Sequence, residues 1–227
     1  MVWVALMFLV AAVAALTVGV VTRGGVARID APTMDWVVSQ RTPGLTPIAR
    51  TVTDFGGTLA MTILAVLTCA WLARRQRWPE FVLTAVVGAG AGLTVLVMKA
   101  LVGRRRPGVD HLVTETSHSY PSGHTLGTTA VVGVVAAVTV LSLRQRVPRA
   151  AVAAVAVLFT LAVGMSRVYL GVHWPTDVLA GWALGTLWTL AGVTLLRRYT
   201  ARTGAGTADT EPTDTEPATG LSPTARR

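Results

Sequence analysis

The sequence has a single cysteine, Cys69, so no intrachain disulfide can form, and a lone thiol within an apolar run says nothing of redox compartment. Charge is scarce as well. Only 14% of the 227 residues are Asp, Glu, Lys or Arg, against about a quarter in a soluble domain. Acidic residues are the scarcer kind, 11 against 20 basic ones, leaving a formal charge of +9. That excess does not make a nucleic-acid-binding protein, because the basic residues form no stripe on an amphipathic face. They cluster at the ends of apolar runs, where membrane topology and anionic head groups account for them. No repeat of fixed period is evident.

What the sequence does have is apolar length. Hydrophobic residues make up 52% of it, and the mean hydropathy is +0.57. Several runs reach the roughly 20 residues that a helix needs to cross a bilayer. Six spans are predicted, at about Val2–Val21, Thr51–Leu72, Phe81–Leu101, Thr125–Leu143, Ala150–Val168 and Val178–Leu196. The fold class is therefore all-α, a six-span transmembrane bundle over residues 1–200. The first run is an uncleaved span rather than a signal peptide, since no Lys or Arg precedes it and no clear small-residue cleavage site follows. Residues Thr22–Arg50 carry charges and three prolines and read as a surface-lying segment or short amphipathic helix. Gly88, Gly90 and Gly92 in the third span, and Gly181 and Gly185 in the sixth, read as points of close helix packing. From Ala201 onward Thr, Pro, Gly and acidic residues dominate, and residues 201–227 are expected to form a disordered tail.

The short loops orient the bundle. Arg74, Arg75 and Arg77 follow the second span, Arg144, Arg146 and Arg149 the fourth, and Arg197 and Arg198 the sixth. By parity these ends share one face, which the positive-inside rule makes cytoplasmic. Arg23, Arg28, Arg41, Arg50, Arg104–Arg106 and Arg167 fall on the opposite face, where some have a chemical explanation. The chain is thus expected in the plasma membrane as a multi-pass protein, with its tail in the cytoplasm.

Three polar clusters break the apolar pattern, all on the non-cytoplasmic face. The first runs from Lys99 to Arg104, Arg105, Arg106 and Pro107; the second is Tyr120-Pro121-Ser122-Gly123-His124; the third holds Ser166, Arg167, His173 and Asp177. Ionisable groups at a membrane boundary are costly and mark functional sites. Lys99, Arg106 and Arg167 are cationic donors suited to phosphoryl oxygens. Ser122 and Gly123 open a helix, where a hydroxyl and backbone N–H groups can meet an anion. His173 and Asp177 stand four residues apart at a helix start with Pro175 in the first turn, a spacing that sets carboxylate beside imidazole. A carboxylate on Nδ1 would leave Nε2 free as a nucleophile. His124, without an adjacent acid, suits protonation of a leaving oxygen. Arg104 and Arg105 read as solvated charges near head groups, His111 and His118 as loop residues, and Trp71, Trp78 and Trp174 as interfacial anchors.

The patterns K-x6-R-P (Lys99 to Pro107), P-S-G-H (Pro121 to His124) and S-R-x5-H-x3-D (Ser166 to Asp177) resemble the three signature motifs of the type 2 phosphatidic acid phosphatase family. Bacterial class A acid phosphatases and vanadium-dependent haloperoxidases belong to the same superfamily. The resemblance implies a metal-independent, cofactor-free lipid phosphatase working through a phosphohistidine. It makes His173 the nucleophile, His124 the acid and Asp177 the orienting carboxylate, with Lys99, Arg106, Arg167, Ser122 and Gly123 on the phosphate. The implied partners are a lipid phosphate or pyrophosphate (phosphatidate, phosphatidylglycerol phosphate or undecaprenyl pyrophosphate in class), taken from the outer face, and the membrane lipids themselves. A homo-oligomer stays open. The alternatives are a non-catalytic lipid-phosphate-binding or transport protein on the same fold, which would need the cations but not both histidines, and a vanadate-dependent haloperoxidase, disfavoured by six spans.

Overall fold

The computed structural model describes residues 1–208, which form helices and loops with no strand among them. The helices are α1 (Val2–Thr22), α2 (Asp30–Ser39), α3 (Leu45–Phe55), α4 (Thr58–Arg74), α5 (Trp78–Val102), α6 (Gly123–Ser142), α7 (Arg146–Tyr169) and α8 (Pro175–Ala208), with a 3-10 turn at Gly25–Ile29. Five of them, α1, α5, α6, α7 and α8, are long and apolar enough to span a bilayer, and α3 with α4 makes a sixth as a bent pair.

The second span therefore differs from the straight helix expected over Thr51–Leu72. It bends by 40° between Phe55 and Thr58, at Gly56 and Gly57. A Cβ at Gly56 would stand 2.5 Å from a Val163 methyl, so α7 crosses there closely enough to exclude any side chain. The hydroxyl of Thr128 donates to the freed Gly56 carbonyl at 3.0 Å, which satisfies a backbone group that lipid could not.

At the centre lies α6, packed on α8, α7, α5 and α4. Leu126, Ala130, Val134 and Val138 on it meet Leu72, Leu83, Val87, Leu184 and Leu196 in one buried cluster. The outward faces carry Phe8, Leu59, Leu67, Leu93, Leu96 and Leu158, all exposed. An apolar surface of that extent is a liability in water and the natural boundary with lipid. The segment after α1 folds into the turn and α2, laid against α7 and α8. At the far end α8 continues through Ala208, past the start of the expected tail at residue 201. Extending a helix needs only one more hydrogen bond per residue, not burial. The rest of that tail, residues 209–227, lies outside the described residues.

Glycines set the spacing of the bundle. A Cβ at Gly185 would lie 2.6 Å from Thr129 and 2.9 Å from the Leu126 carbonyl, and one at Gly181 2.8 Å from Thr125. These contacts let α6 and α8 touch backbone to backbone. At Gly90 a Cβ would enter the Trp188 ring, whereas Gly92 has open space and Gly88 only ordinary contact with Ala65. The close-packing expectation thus holds at three of the five glycines and fails at Gly88 and Gly92. Gly185→Ala is expected to destabilise the protein by about 1–3 kcal/mol through overpacking, while Gly92→Ala is neutral or slightly stabilising. Thermal unfolding in detergent checks this contrast, and equal melting temperatures for the two variants would refute it.

Candidate active site

The C-terminal ends of α5 and α7 and the N-terminal ends of α6 and α8 come to one face of the bundle. The loop from Gly103 to Ser122 crosses that face. At about 20 residues it is longer than a simple helix connection requires. All three polar clusters meet there, and the two helix N-termini add their positive dipole ends.

His173 sits in the short turn between α7 and α8 and is 1% exposed. Its position at a span end suggests accessibility, but the turn is folded inward beneath the loop. Asp177 Oδ2 lies 3.5 Å from Nδ1, and Ser119 Oγ lies 3.4 Å from the same nitrogen. On the other side, Arg106 Nη1 stands 3.3 Å from Nε2. A guanidinium can only donate, so Nε2 carries the lone pair and Nδ1 the proton. Burial pushes the imidazole down to about 4, against the opposing pull of Asp177. The ring is therefore neutral at ordinary pH.

Asp177 is wholly buried, and both its oxygens accept hydrogen bonds. Its Oδ1 accepts from Arg104 Nη1 at 2.6 Å. Its Oδ2 accepts from the Trp174 N–H at 2.9 Å and from the Ser119 hydroxyl. Arg104 in turn donates from Nη2 to Asp30 Oδ2 at 2.6 Å. Asp30, at the start of α2, accepts from the Thr176 N–H at 2.9 Å and the Thr176 hydroxyl at 2.6 Å. Arg104 is thus no solvated head-group charge. It is a half-buried clamp between two carboxylates, with the Trp174 ring centroid 5.4 Å from its guanidinium carbon. Trp174 is likewise held inward, since its indole N–H donates to the Arg105 carbonyl at 3.0 Å.

The three cations expected to meet phosphate do converge, and each already has an acceptor. Lys99, the single lysine, donates to Ser117 Oγ at 2.6 Å. Arg106 donates to the Ser117 carbonyl at 2.8 Å and the Val172 carbonyl at 2.5 Å, and its Nη2 lies 3.4 Å from Glu115 Oε2. Arg167, 1% exposed, donates to Thr53 Oγ1 at 2.9 Å and pairs through Nη2 with Glu115 Oε1. The Arg167 Nε is buried with no hydrogen-bond partner among the described residues. Burial alone would raise the Glu115 carboxyl, but Arg167 and Arg106 overcome it and hold it below the usual carboxylate range.

His124 stands at the start of α6 with Nδ1 4.0 Å from Glu115 Oε1, on the same cationic pocket as His173. Ser122 departs from its expected role, because its side chain caps α6, accepting from the Thr125 N–H at 3.4 Å and the Thr125 hydroxyl at 2.9 Å. Being fully buried, that hydroxyl faces the helix rather than the pocket. The first turn of α6, including Gly123, still presents N–H groups that no helical carbonyl can reach.

Five residues of this site escaped the sequence reading: Asp30, Thr53, Arg104, Glu115 and Ser119. Only two of them had an available signal. Arg104 lies inside the first motif, and Glu115 is one of only two acids, with Asp110, in a cation-rich loop of unusual length.

The residue pattern and the fold both recur in known proteins. Phosphatidylglycerophosphatase B of Bacillus subtilis is 33% identical over 153 residues, covering 65% of this chain and 73% of that one. Decaprenylphosphoryl-5-phosphoribose phosphatase of Mycobacterium tuberculosis is 35% identical over 153 residues, 63% of this chain and 76% of that one. The crystal structure of a transmembrane PAP2-type phosphatidylglycerolphosphate phosphatase from Bacillus subtilis superimposes with a TM-score of 0.72 at 29% identity, covering 88% of this chain and 96% of that one. The PAP2 superfamily model matches residues 81–201, the stretch that holds all three motifs, and this chain belongs to the PAP2 superfamily.

Proposed function

We propose that this protein removes the terminal phosphate of a lipid phosphate or pyrophosphate by attack of His173 Nε2 on phosphorus. It is a membrane-embedded lipid phosphatase of the PAP2 type; the route and the sidedness are our reading. What carries that reading is the placement of His173, with Asp177 on Nδ1 and Arg106 on Nε2.

The steps follow from that placement. Nε2 attacks as the P–O bond to the lipid breaks, and His124 gives its proton to the departing oxygen. The new imidazolium is stabilised by Asp177, which is itself held by Arg104 and Ser119. Arg106, Arg167 and Lys99 neutralise the nonbridging oxygens, so catalysis rests on positioning and charge. Water then attacks the phosphohistidine, losing its proton to His124, and His173 regains its neutral form. A cavity of about 600 Å³ beside Arg106 is lined by Val20, Val21 and Val102 together with Arg23 and Arg105. That mixture suits an amphiphile with an anionic head. The curated relatives bear the names of glycerophospholipid and polyprenyl phosphatases, so the substrate is sought in those classes.

His173→Ala is expected to lose turnover entirely and the acid-labile phosphoenzyme with it, while the parent protein keeps its activity in excess EDTA. Phosphate release from phosphatidate, phosphatidylglycerol phosphate, undecaprenyl pyrophosphate and decaprenylphosphoryl-5-phosphoribose is the assay; clear activity in His173→Ala would overturn the mechanism. His124→Gln should lose about 10²–10⁴-fold on an alkyl phosphate, and much less on p-nitrophenyl phosphate, whose leaving group hardly needs a proton.

The pH profile has a definite sign. His173 must be neutral to attack, and a value near 4 keeps it neutral as the pH falls. The acid limb of kcat/KM, which reports the free enzyme, is therefore expected near pH 4. A limb centred at about 6.5, the free imidazole value, would mean that the ring is solvated.

Sidedness follows from the arginines after the second, fourth and sixth spans, which put the site on the outer face. In a Cys69→Ala background, an impermeant thiol reagent applied to intact cells is expected to label Thr114→Cys and not Gln145→Cys. Both positions are exposed, and the reverse pattern would invert the topology.

A further inference from the structure

Glu115 is not part of the chemistry set out above, yet its carboxylate occupies the centre of the cationic pocket. It bridges Arg106 and Arg167 and stands 4.0 Å from His124. Those are three of the groups assigned to the phosphate and its leaving oxygen, so a phosphoryl group and this carboxylate cannot share the space.

The reason for a carboxylate there is electrostatic. Arg167 is 1% exposed and Arg106 has a side chain 8% exposed. Two guanidinium groups held together out of water repel each other and each lacks hydration, unless an anion sits between them. During turnover the phosphate is that anion. Between turnovers something else must be.

The surrounding loop is built to let such an anion leave. Its base is fastened: Arg41 and Arg50 donate to the carbonyls of Asp110 and Leu112 at 3.0 and 2.9 Å, and the Leu112 N–H donates to the Leu170 carbonyl at 3.0 Å. Its return is fastened from Ser117 onward: the Ser117 carbonyl accepts from Arg106 at 2.8 Å and its hydroxyl from Lys99 at 2.6 Å, and the Ser119 N–H donates to the Arg104 carbonyl at 2.9 Å. Between these points, among the described residues, Val113–Thr116 makes no hydrogen bond or ion pair except those of the Glu115 carboxylate. Glu115 itself keeps 22% of its side chain exposed, which leaves a path to water. The unpartnered Arg167 Nε shows that the carboxylate does not use every donor of the pocket; a phosphoryl group has one more oxygen to offer.

We propose that Glu115 is the placeholder counter-ion of the phosphate pocket, which pairs Arg106 and Arg167 while the site is empty and swings out with the loop apex when a phosphoryl group binds. The proposal rests on the pocket being a phosphate site. It makes Glu115 an internal competitor that weakens the apparent affinity for any anion by the fraction of time the pocket is closed, and it couples opening of the loop to binding.

Orthovanadate and inorganic phosphate are the probes, with the full-length protein in detergent. In Glu115→Gln the apparent Kd for both probes and the KM for a lipid phosphate are expected to fall together, about tenfold if the parent pocket is open one-tenth of the time. The empty variant should melt below the empty parent, and the two should converge when saturated with vanadate, so the ligand-induced shift is larger in the variant. A spin label at the exposed Thr116 (Thr116→Cys in Cys69→Ala) should gain mobility when vanadate is added to the otherwise unaltered loop. Unchanged Kd and KM with a lower kcat would overturn the proposal and make Glu115 a partner of His124 instead. A label that stays still on binding would overturn it as well. If neither parent nor variant binds either probe, the reading of the pocket as a phosphate site fails first, and the proposal falls with it.

Discussion

The site depends on one buried carboxylate. Asp177 lies in the first turn of α8 with no exposure, and it takes donors from the loop at Arg104 and Ser119 and from the turn at Trp174. Its own backbone carbonyl accepts from the Ser122 N–H at 3.1 Å, just ahead of α6. A single charge in a low-dielectric setting must be satisfied on every side, and satisfying this one brings three separated segments to one point. His173 then has little freedom. With a carboxylate beside Nδ1 and a guanidinium at Nε2, both its tautomer and its direction are set before substrate arrives.

That order stands in contrast to the pocket on the other side of the imidazole. Lys99, Arg106 and Arg167 cannot be satisfied permanently, because their work is to receive an anion and release it. Hydration relieves Arg167 least, since it is 1% exposed, whereas Lys99 and Arg106 are half-buried. Side chains at the rim of a membrane bundle thus face competing demands. Stability favours pairing each cation, and turnover favours leaving them available.

Much of the fold was legible in the sequence because lipid imposes a simple rule: backbone polar groups must pair within the segment, so long apolar runs become helices. The motifs were legible because ionisable residues stand out against that background. What could not be read was any single partner chosen by tertiary contact. Asp30 lies 147 positions before Asp177 yet shares Arg104 with it, and no local pattern announces such a pairing. Thr53 and Ser119 are single hydroxyls in segments where hydroxyls are common. The bend at Gly56–Gly57 was hidden for a related reason. A glycine pair in an apolar run reads equally as close packing or as a break, and only the approach of Val163 decides it. Ser122 shows the opposite error, since a hydroxyl ahead of a helix serves a cap and an anion equally well on paper, and Thr125 takes it as a cap.

The acidic residues that serve the arginines fall into two kinds, and exposure separates them. Asp30 is 3% exposed, accepts from both the backbone and the side chain of Thr176, and pairs with an arginine that already has a second carboxylate in Asp177. Removing it would leave the buried Thr176 N–H and hydroxyl and one Arg104 N–H without their acceptor, so it is a permanent member of the fold. Glu115 is 22% exposed, sits on a loop apex without other bonds, and pairs with arginines whose alternative anion comes from outside. The same ion-pair chemistry therefore yields a fixed strut in one place and an exchangeable one in the other. What distinguishes them is how many further bonds hold the carboxylate's backbone. A phosphate need not break the fold to enter, because the contacts it replaces are those of the pocket's own side chains, Glu115 with Arg106 and Arg167 and Ser117 with Lys99.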